Sequence, residues 1–267
     1  MKVSNKIIVV TGAGSGIGRA LSLHLLAKQA KVVGVDINLN SLLETQKIAG
    51  VNDDKFKAFA LDITDKEKVE LLPNEVIKHF GSVDGIINNA GIIQHFIHVN
   101  DLTYDEINRV FNVNFFGTLY LTKAFLPHFL KRPEAHIVNI SSLGGFIPFP
   151  GQTIYGAAKA AVKLFTEGLF SELKGTNVNV TVVHPGAIAT NITENSGLGK
   201  PTQKANNSKL KPLPADKAAE IIIEAMEKNK FRITVGKDAT FLDFLYRFSP
   251  KYATNFIQKK MAELRKI

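Results

Sequence analysis

Tyr155 and Lys159 are the two side chains of this sequence best placed to move a proton, because they stand four residues apart in a segment with helical periodicity. That spacing puts both on one face of a helix, within reach of a shared ligand. A phenol with its ordinary pKa of about 10 is a poor base at neutral pH, but a nearby ammonium group favours the phenolate. A packed ring beside a solvated charge would show the same spacing, so the pair needs support from other motifs.

A glycine-rich segment, TGAGSGIG at residues 11–18, follows an apolar run and opens into a helical segment. Glycines permit a tight turn that brings the backbone close to a pyrophosphate, and the free N–H groups of a helix start supply donors and positive potential. The spacing is GxxxGxG, which departs from the generic GxGxxG dinucleotide fingerprint. The turn alone is therefore also compatible with a purely structural role.

Asp36 ends the second apolar run, where a βαβ unit would place an acid against the adenosine ribose. A carboxylate there accepts hydrogen bonds from the ribose hydroxyls and repels a 2′-phosphate. Neither Asp36 nor its successor Ile37 offers a cation for that phosphate. The sequence predicts NAD rather than NADP, and the alternative is a solvated acid at a strand end.

The elements that would position these groups alternate between short β-rich runs and helical segments. The runs are 7–10, 32–35, 56–61, 83–87, 137–140, 178–183 and 233–235, and helical periodicity covers 17–28, 66–80, 104–130, 155–173 and 215–228. This rhythm requires a parallel sheet covered on both faces. We therefore predict a Rossmann-type, doubly wound three-layer α/β/α sandwich with a seven-stranded parallel sheet, as one NAD-binding domain of residues 1–267.

The motifs occur together in a recognisable order. They are residues 11–18, Asp62 after the third strand, Asn88-Asn89-Ala90-Gly91 after the fourth, Asn114, Ser142, Tyr155-x-x-x-Lys159, and Pro185-Gly186 with Thr190. In this order the sequence resembles the short-chain dehydrogenase/reductase family, in its single-domain branch, from Thr11 to about Gly236. The resemblance implies a homodimer or homotetramer, and it thins after Gly236.

The resemblance also implies catalytic roles for four residues. Tyr155 would protonate the carbonyl oxygen or take the alcohol proton, while Lys159 would lower the tyrosine's pKa and bind the nicotinamide ribose. Ser142 would hydrogen-bond the reacting oxygen, and Asn114 would hold a water that links Lys159 to solvent. Ser141 is the alternative to Ser142, although the spacing to the tyrosine favours Ser142.

Cofactor contacts are implied for residues of several loops. These are Gly12, Ser15, Gly16, Ile17, Gly18, Asp36, Asp62, Ile63, Asn89, Ala90, Gly91, Tyr155, Lys159, Pro185, Gly186, Ile188 and Thr190. Asp62 and Ile63 would contact the adenine, and Ile188 and Thr190 the carboxamide. In the alternative, Asn88-Asn89 only caps a turn and Pro185-Gly186 only ends a strand.

The composition excludes several other classes of protein. There is no cysteine, so there is neither a disulfide framework nor a thiolate metal site, as expected for a cytoplasmic protein. No run reaches the roughly 18 apolar residues of a membrane span, and we expect a soluble protein. His95, His98 and His184 lack a metal-ligand spacing, so we expect pocket or structural roles and no metal.

The net charge of +9 is concentrated in residues 200–217 and 251–267, each with five basic residues against one acid. Since no nucleic-acid reading module is visible, we expect a solvated loop and tail and no nucleic-acid partner. Residues 191–214 lack periodicity and are interpreted as a mobile substrate lid. The basic aromatic helical tail, residues 238–267, either covers the pocket, forms a subunit contact or lies on an anionic membrane surface.

Together these features predict an NAD(H)-dependent oxidoreductase that interconverts a secondary alcohol and a ketone. The expected pocket lining is apolar, which favours a hydrophobic substrate: Phe96, Ile97, Leu143, Phe146, Ile147, Pro148 and Phe149. Three alternatives stay open: an NADP(H)-dependent ketoreductase, a catalytically silent nucleotide sensor, and a membrane-associated scaffold. The sequence does not identify the substrate or the direction of the reaction.

Overall fold

Seven parallel strands form the central sheet of the computed structural model, which describes residues 1–199 and 212–265. They are β1 (Ile7–Thr11), β2 (Lys31–Asp36), β3 (Phe56–Ala60), β4 (Gly85–Asn88), β5 (Ala135–Ile140), β6 (Val178–Pro185) and β9 (Arg232–Val235), in the order β3-β2-β1-β4-β5-β6-β9. Two further short strands, β7 (Ile188–Ala189) and β8 (Leu213–Pro214), pair in parallel with each other. The predicted doubly wound α/β fold and its seven-stranded sheet are confirmed.

Helices cover both faces of this sheet. They are α1 (Gly16–Ala27), α2 (Leu39–Ala49), α3 (Lys66–Phe80), α4 (Tyr104–Phe111), α5 (Gly117–Phe129), α6 (Thr153–Glu172), α7 (Ile192–Asn195), α8 (Ala215–Glu227), α9 (Lys237–Phe248) and α10 (Pro250–Arg265). A π-helical turn, Asn112–Phe116, joins α4 to α5. The segment 104–130, predicted as a single helix, therefore contains a change of helical pitch, because one extra residue is accommodated at that turn.

Alternate residues of the central strand face opposite cores. Ile8 and Val10 of β1 pack with side chains of α1 and α8, such as Leu21 and Ile222, whereas Ile7 and Val9 pack against α3, α5 and α6. All of β1 is buried, as a strand covered on both sides requires. This explains why the strands read as unbroken apolar runs in the sequence.

The tail consists of the helices α9 and α10, which pack against each other. Leu242 of α9 and Ile257 of α10 form a third apolar cluster with Leu143 and Ile147, the segment that follows β5. No helix among the described residues is long and apolar enough to cross a membrane. The middle of the expected lid, residues 200–211, lies outside the described residues.

Candidate active site

A cleft of about 990 Å³ runs along the carboxyl ends of the strands, from the glycine-rich segment to Tyr155 and Lys159. The chain builds the sheet outwards from β1 through β2 to β3 and then returns to place β4 on the other side of β1. Such a reversal of strand order opens a crevice at the sheet edge, and this is where open α/β sheets bind ligands.

The glycine-rich segment makes a tight turn between β1 and α1. Gly12 and Gly16 have φ angles of +67° and +50°, a region that a side chain disfavours. A β-carbon on Gly18 would lie 2.0 Å from the carbonyl oxygen of Gly12, so only glycine fits there. The turn aims the first N–H groups of α1, which have no partner within the helix, at the cleft.

Asp36 lines the cleft at the end of β2. Its carboxylate accepts the N–H of Gly14 at 3.0 Å and the N–H of Asn38 at 3.0 Å. The guanidinium of Arg19 is close to the same turn, but it donates to the Gly14 carbonyl and pairs with Glu44. The cation of Arg19 is thus engaged with the protein itself.

Helix α6 carries both Tyr155 and Lys159 to the cleft. Lys159 is buried, with its Nζ donating to the carbonyl oxygen of Ile140 at 2.9 Å. Burial lowers the pKa of its ammonium group to about 8. A β-carbon on Gly91 would come within 3.2 Å of this Nζ, so the glycine leaves room for the ammonium group.

Tyr155 is partly exposed and faces Ser142 across Gly144. A β-carbon on Gly144 would lie 3.5 Å from both Ser142 Oγ and Tyr155 Cε1. Burial of the phenol raises the pKa of Tyr155, and hydrogen bonding with Ser142 acts in the opposite direction. Ser142 Oγ also accepts the N–H of Gly144 at 3.0 Å. The neighbouring Ser141 donates instead to the buried carbonyl of Lys159, a structural contact.

The start of α6 is held by a glutamine from the loop after β4. Gln94, 1% exposed, accepts the N–H of Tyr155 through its Oε1 at 2.8 Å. In return, Gln152 donates from its Nε2 to the Gln94 carbonyl at 2.8 Å. Gln152 is the residue at the N-cap of α6 but provides no side-chain cap. A distant side chain therefore caps the helix that carries the tyrosine.

Asn114 lies inside the π-helical turn and is fully buried. Its Nδ2 donates to the carbonyls of Ile92 and Val110, and its Oδ1 accepts the N–H of Ile92 at 3.2 Å. The carboxamide thus fastens the loop after β4 to the helix, and the side chain does not line the cleft.

Most of the residues expected at the cofactor do line this cleft. They are Gly12, Ser15, Gly16, Ile17, Asp36, Asp62, Ile63, Asn89, Ala90, Gly91, Tyr155, Lys159, Pro185, Gly186, Ile188 and Thr190. Gly18, Asn114 and Ser142 are not part of the lining. Gly18 packs against Gly12, Asn114 lies next to Gly91, and Ser142 lies across Gly144 from Tyr155.

A polar stripe on α4 and the first residue of the π-helical turn also lines the cleft and was not predicted; we call it the α4 stripe. Asp105, Asn108, Arg109 and Asn112 recur at helical spacing, so they share one face. That period was visible in the sequence and could have identified them. For Gln94 and Gln152 no comparable signal exists, because their roles depend on a contact between distant segments.

The apolar lining differs from the expectation. Phe96 and Phe149 reach the cleft, but Leu143 and Ile147 are buried beneath the tail, where α9 and α10 cover them. Ile97, Phe146 and Pro148 are not among the lining residues either. The segment after Ser142 therefore belongs largely to a core shared with the tail.

The three histidines for which we expected pocket or structural roles have different surroundings. His184 is buried, and its Nδ1 lies 3.1 Å from the Ser142 carbonyl oxygen, which can only accept. Burial lowers the pKa of His184 to about 4, so the ring is neutral and donates from Nδ1. His95 pairs with Glu106 beside a smaller cavity of about 270 Å³, and His98 is exposed.

The first part of the expected lid is fastened over the cleft. Asn195 donates to Ser15 Oγ at 2.8 Å, and Ser196 Oγ accepts the N–H of Ile93 at 2.9 Å. Arg109 donates to the Ser196 carbonyl at 3.2 Å. These bonds join the segment after β7 to both the glycine-rich turn and α4.

Comparison with known proteins gives consistent matches. The family model described as short chain dehydrogenase matches residues 6–200. A Mycobacterium tuberculosis protein, SadH, named an oxidoreductase, is 39% identical over 249 residues, which cover 91% of this chain and 90% of that protein. An uncharacterized oxidoreductase of Staphylococcus aureus is 38% identical over 229 residues, 85% of this chain and 94% of its own.

Two solved structures share the fold. A short chain dehydrogenase/reductase from Burkholderia phymatum in complex with NAD has a TM-score of 0.79 at 26% identity, covering 88% of this chain and 90% of its own. The closed form of serine dehydrogenase complexed with NADP⁺ has a TM-score of 0.79 at 25% identity. The match covers 86% of this chain and 93% of that structure's chain.

Proposed function

This chain belongs to the short chain dehydrogenase family, and we propose that it interconverts a secondary alcohol and a ketone with NAD(H), using Tyr155 as general acid and base. As a member of that family it is an oxidoreductase that uses a nicotinamide cofactor. One observation carries the finer proposal: Tyr155 and a buried Lys159 share one cleft with a glycine-rich turn and Asp36.

The residues present fit a dinucleotide. The glycine-rich turn lines the cleft with Gly12, Gly14 and Gly16, and a β-carbon on Gly14 would lie only 2.9 Å from the Asp36 carboxylate, so the turn is a cradle that side chains would fill at a helix N-terminus. Asp36 would accept the adenosine ribose hydroxyls, and Asp62 and Ile63 would flank the adenine. When bound, the nicotinamide cofactor supplies or accepts the hydride, and the protein contributes orientation and a proton.

Tyr155 would be the proton donor and acceptor at the reacting oxygen. In reduction its hydroxyl gives a proton to the carbonyl oxygen, and in oxidation its phenolate takes the proton of the alcohol. Burial opposes the phenolate by raising the pKa of Tyr155. In this proposal the positive charge of Lys159, one turn along α6, would offset this effect, because a neighbouring cation stabilises a phenolate. Ser142, on the other side of Gly144, would hydrogen-bond the same oxygen.

A preference for NAD over NADP rests on Asp36, since a carboxylate repels a 2′-phosphate. The relatives with bound nucleotide include one with NAD and one with NADP⁺, so an NADP(H)-dependent reductase is the second candidate. For the substrate, Phe96 and Phe149 favour an apolar body, and the α4 stripe adds polar groups at one wall.

Two proposals concern the molecule as a whole. We propose a single NAD-binding domain in which residues 191–214 act as a lid, supported by the bonds of Asn195 and Ser196 across the cleft. We also propose a homodimer or homotetramer, supported by the exposed Leu164 and Phe170 on α6, which a subunit contact would cover.

Tyr155→Phe tests the reaction. We expect turnover of secondary alcohols or ketones to fall by at least about 100-fold, the scale of general acid–base catalysis, while NADH affinity measured by fluorescence titration stays within about twofold. As a control, Tyr104→Phe removes an exposed hydroxyl of α4 and should leave the rate unchanged. A Tyr155→Phe enzyme that kept most of its rate would refute this assignment.

A further inference from the structure

Helix α9 is apolar on two opposite faces. Ala239 and Leu242 are buried against the domain, whereas Phe241, Phe244 and Phe248 are 53%, 70% and 83% exposed. Their spacing of three and four residues places these three rings on one outward stripe. A helix that is apolar on two faces normally buries both, yet Phe244 and Phe248 stay largely exposed to solvent in the described part of the chain.

The stripe continues onto α10. Tyr252 is 60% exposed, and Phe241 contacts Phe256 of α10 with ring centroids 6.1 Å apart. We define the outer face as Phe241, Phe244, Phe248 and Tyr252. Four exposed aromatic rings on two packed helices form a larger apolar patch than isolated surface side chains do, and such patches mark interaction sites.

Basic side chains flank the outer face, and the described acids of α9 point elsewhere. Lys237, Arg247 and Lys251 are exposed. Asp238 accepts the N–H of Ala187. Asp243 forms a two-bond pair with Arg232 and also accepts from Arg247 at 3.3 Å, so the exposed cations not paired with an acid of α9 are Lys237 and Lys251. The face is therefore both aromatic and positive.

From this combination we propose that the outer face binds the surface of an anionic lipid bilayer. Aromatic rings favour the boundary between lipid tails and headgroups, and basic residues are attracted to anionic headgroups. A second copy of this chain fits less well, because a two-fold contact through this face would bring the basic side chains of one copy, such as Lys237 and Lys251, close to those of the other. The proposal does not depend on the reaction proposed above.

The position of the outer face relates it to the cleft. Asp238, in the first turn of α9, hydrogen-bonds Ala187, and Ala187 lines the cleft. Bilayer binding through α9 would therefore hold the cleft beside the membrane surface, where an apolar substrate dissolved in lipid is concentrated.

Vesicle sedimentation of the full chain tests the proposal. The probes are vesicles of phosphatidylcholine alone and vesicles of phosphatidylcholine mixed equally with phosphatidylglycerol. We expect binding to the mixed vesicles that weakens with added salt. The double variant F244S/F248S should lower this binding by at least about tenfold, since each inserted ring contributes apolar burial. Lys251→Gln should lower it by about fivefold.

Matched controls separate the outer face from general surface properties. Leu71→Ser removes an exposed apolar side chain of α3, 62% exposed, and Lys47→Gln removes an exposed charge of α2. Both should bind the mixed vesicles as the wild type does. Thermal unfolding followed by circular dichroism checks that every variant is folded, so a loss of binding reports on the face itself.

The outcomes are decisive in either direction. The proposal is overturned if the wild type binds neither kind of vesicle, or if F244S/F248S binds the mixed vesicles as well as the wild type does. It is also overturned if the wild type self-associates in sedimentation equilibrium and F244S/F248S does not, because the face would then be a contact between copies. Loss of binding in F244S/F248S with unchanged controls supports it.

Discussion

Asp36 lies at the end of β2, where we propose that its charge discriminates between two dinucleotides. Its carboxylate already accepts two backbone N–H groups, from Gly14 and Asn38, so its position is fixed before any ligand arrives. Asp36→Arg should shift the ratio of NADH to NADPH affinity towards NADPH by about 10- to 100-fold, the value of one or two hydrogen bonds to a charged group.

Separate titrations with NADH and NADPH measure that shift. Asp36→Asn is the control, because it keeps an acceptor oxygen and removes the repulsion. Its ratio of NADH to NADPH affinity should therefore fall between those of the wild type and Asp36→Arg. If the wild-type chain bound NADPH as tightly as NADH, the role proposed for Asp36 would be wrong.

Lys159 links the chemistry to stability. Burial lowers the pKa of its ammonium group from 10.5 to about 8, so the charged form opposes folding. This penalty is fully present below about pH 8 and is relieved as the pH rises from 8 to 10.5, because the unfolded chain then binds more protons than the folded one. At its largest it is about 3 kcal/mol.

Lys159→Met should therefore be more stable than the wild type at neutral pH, with a gain reduced by the lost bond to Ile140. Urea unfolding from pH 7 to pH 10 measures the difference, which should shrink as the pH rises. A difference that stayed constant over this range would show that the ammonium carries no such penalty.

Sequence patterns predicted which side chains meet at the cleft better than they predicted the contacts of those side chains. The motifs selected Tyr155 and Lys159, and both line the cleft. The contacts of Gln94 could not be predicted, because its acceptor meets the Tyr155 N–H only after β4 and α6 are packed together. Ser142 was selected by spacing, and the structure places it across Gly144 from the tyrosine.

Helix α6 depends on a cap from outside its own sequence. Gln94→Met removes the oxygen that accepts the Tyr155 N–H and should cost about 1 kcal/mol of stability, as loss of an N-cap does. Because Tyr155 lies in the first turn of α6, the turnover number should fall more than the NADH affinity.

Urea unfolding and steady-state kinetics measure the two effects. Gln94→Glu keeps an acceptor oxygen at the same position and should recover the stability. If Gln94→Met and Gln94→Glu lost equal stability, the cap would not be the reason for the effect.

At the level of elements, periodicity predicted the strands well and the helix joints poorly. Each predicted strand overlaps an observed one, since buried parallel strands are unbroken apolar runs. The junction between α4 and α5 was not predicted, because a π-helical turn adds one residue without interrupting the apolar pattern. The ribbon of β7 and β8 escaped as well, since strands of two residues carry no detectable period.

The tail is fastened to the sheet by a largely buried ion pair. Arg232 of β9 donates two hydrogen bonds, at 2.8 and 2.7 Å, to Asp243 of α9. Hydrogen bonding from Arg232 keeps the pKa of Asp243 below its ordinary 3.8. The pair therefore adds stability above about pH 4, and this contribution is lost as the pH falls through the lowered pKa.

Asp243→Asn should lower the free energy of unfolding by about 2 kcal/mol at pH 7, and by less at pH 3. Denaturant titrations at both pH values measure this. Glu167→Gln is the matched control: its pair with Lys163 lies within α6 and is more exposed, so its loss should cost less than about 0.5 kcal/mol. Equal losses for the two variants would contradict an anchoring role for Asp243.

Across the whole molecule, the order of segments predicted the three layers but did not predict what the tail contacts. Alternation of strands and helices is enough for a doubly wound sheet. The sequence offered the pocket, a subunit and a membrane as partners of the tail, because aromatic residues on two faces of α9 suit each of them. The structure assigns one face to Leu143 and Ile147 and leaves the other outward.

The parallel sheet also has a consequence during synthesis on the ribosome. Parallel neighbours cannot be joined by a tight turn, so each pairing waits for a crossover of a dozen or more residues. The edge of β6 finds its partner only when residues 232–235 have been translated, some fifty residues later. Until then the nascent chain exposes an unpaired strand edge rich in valine, a surface that chaperones protect from aggregation.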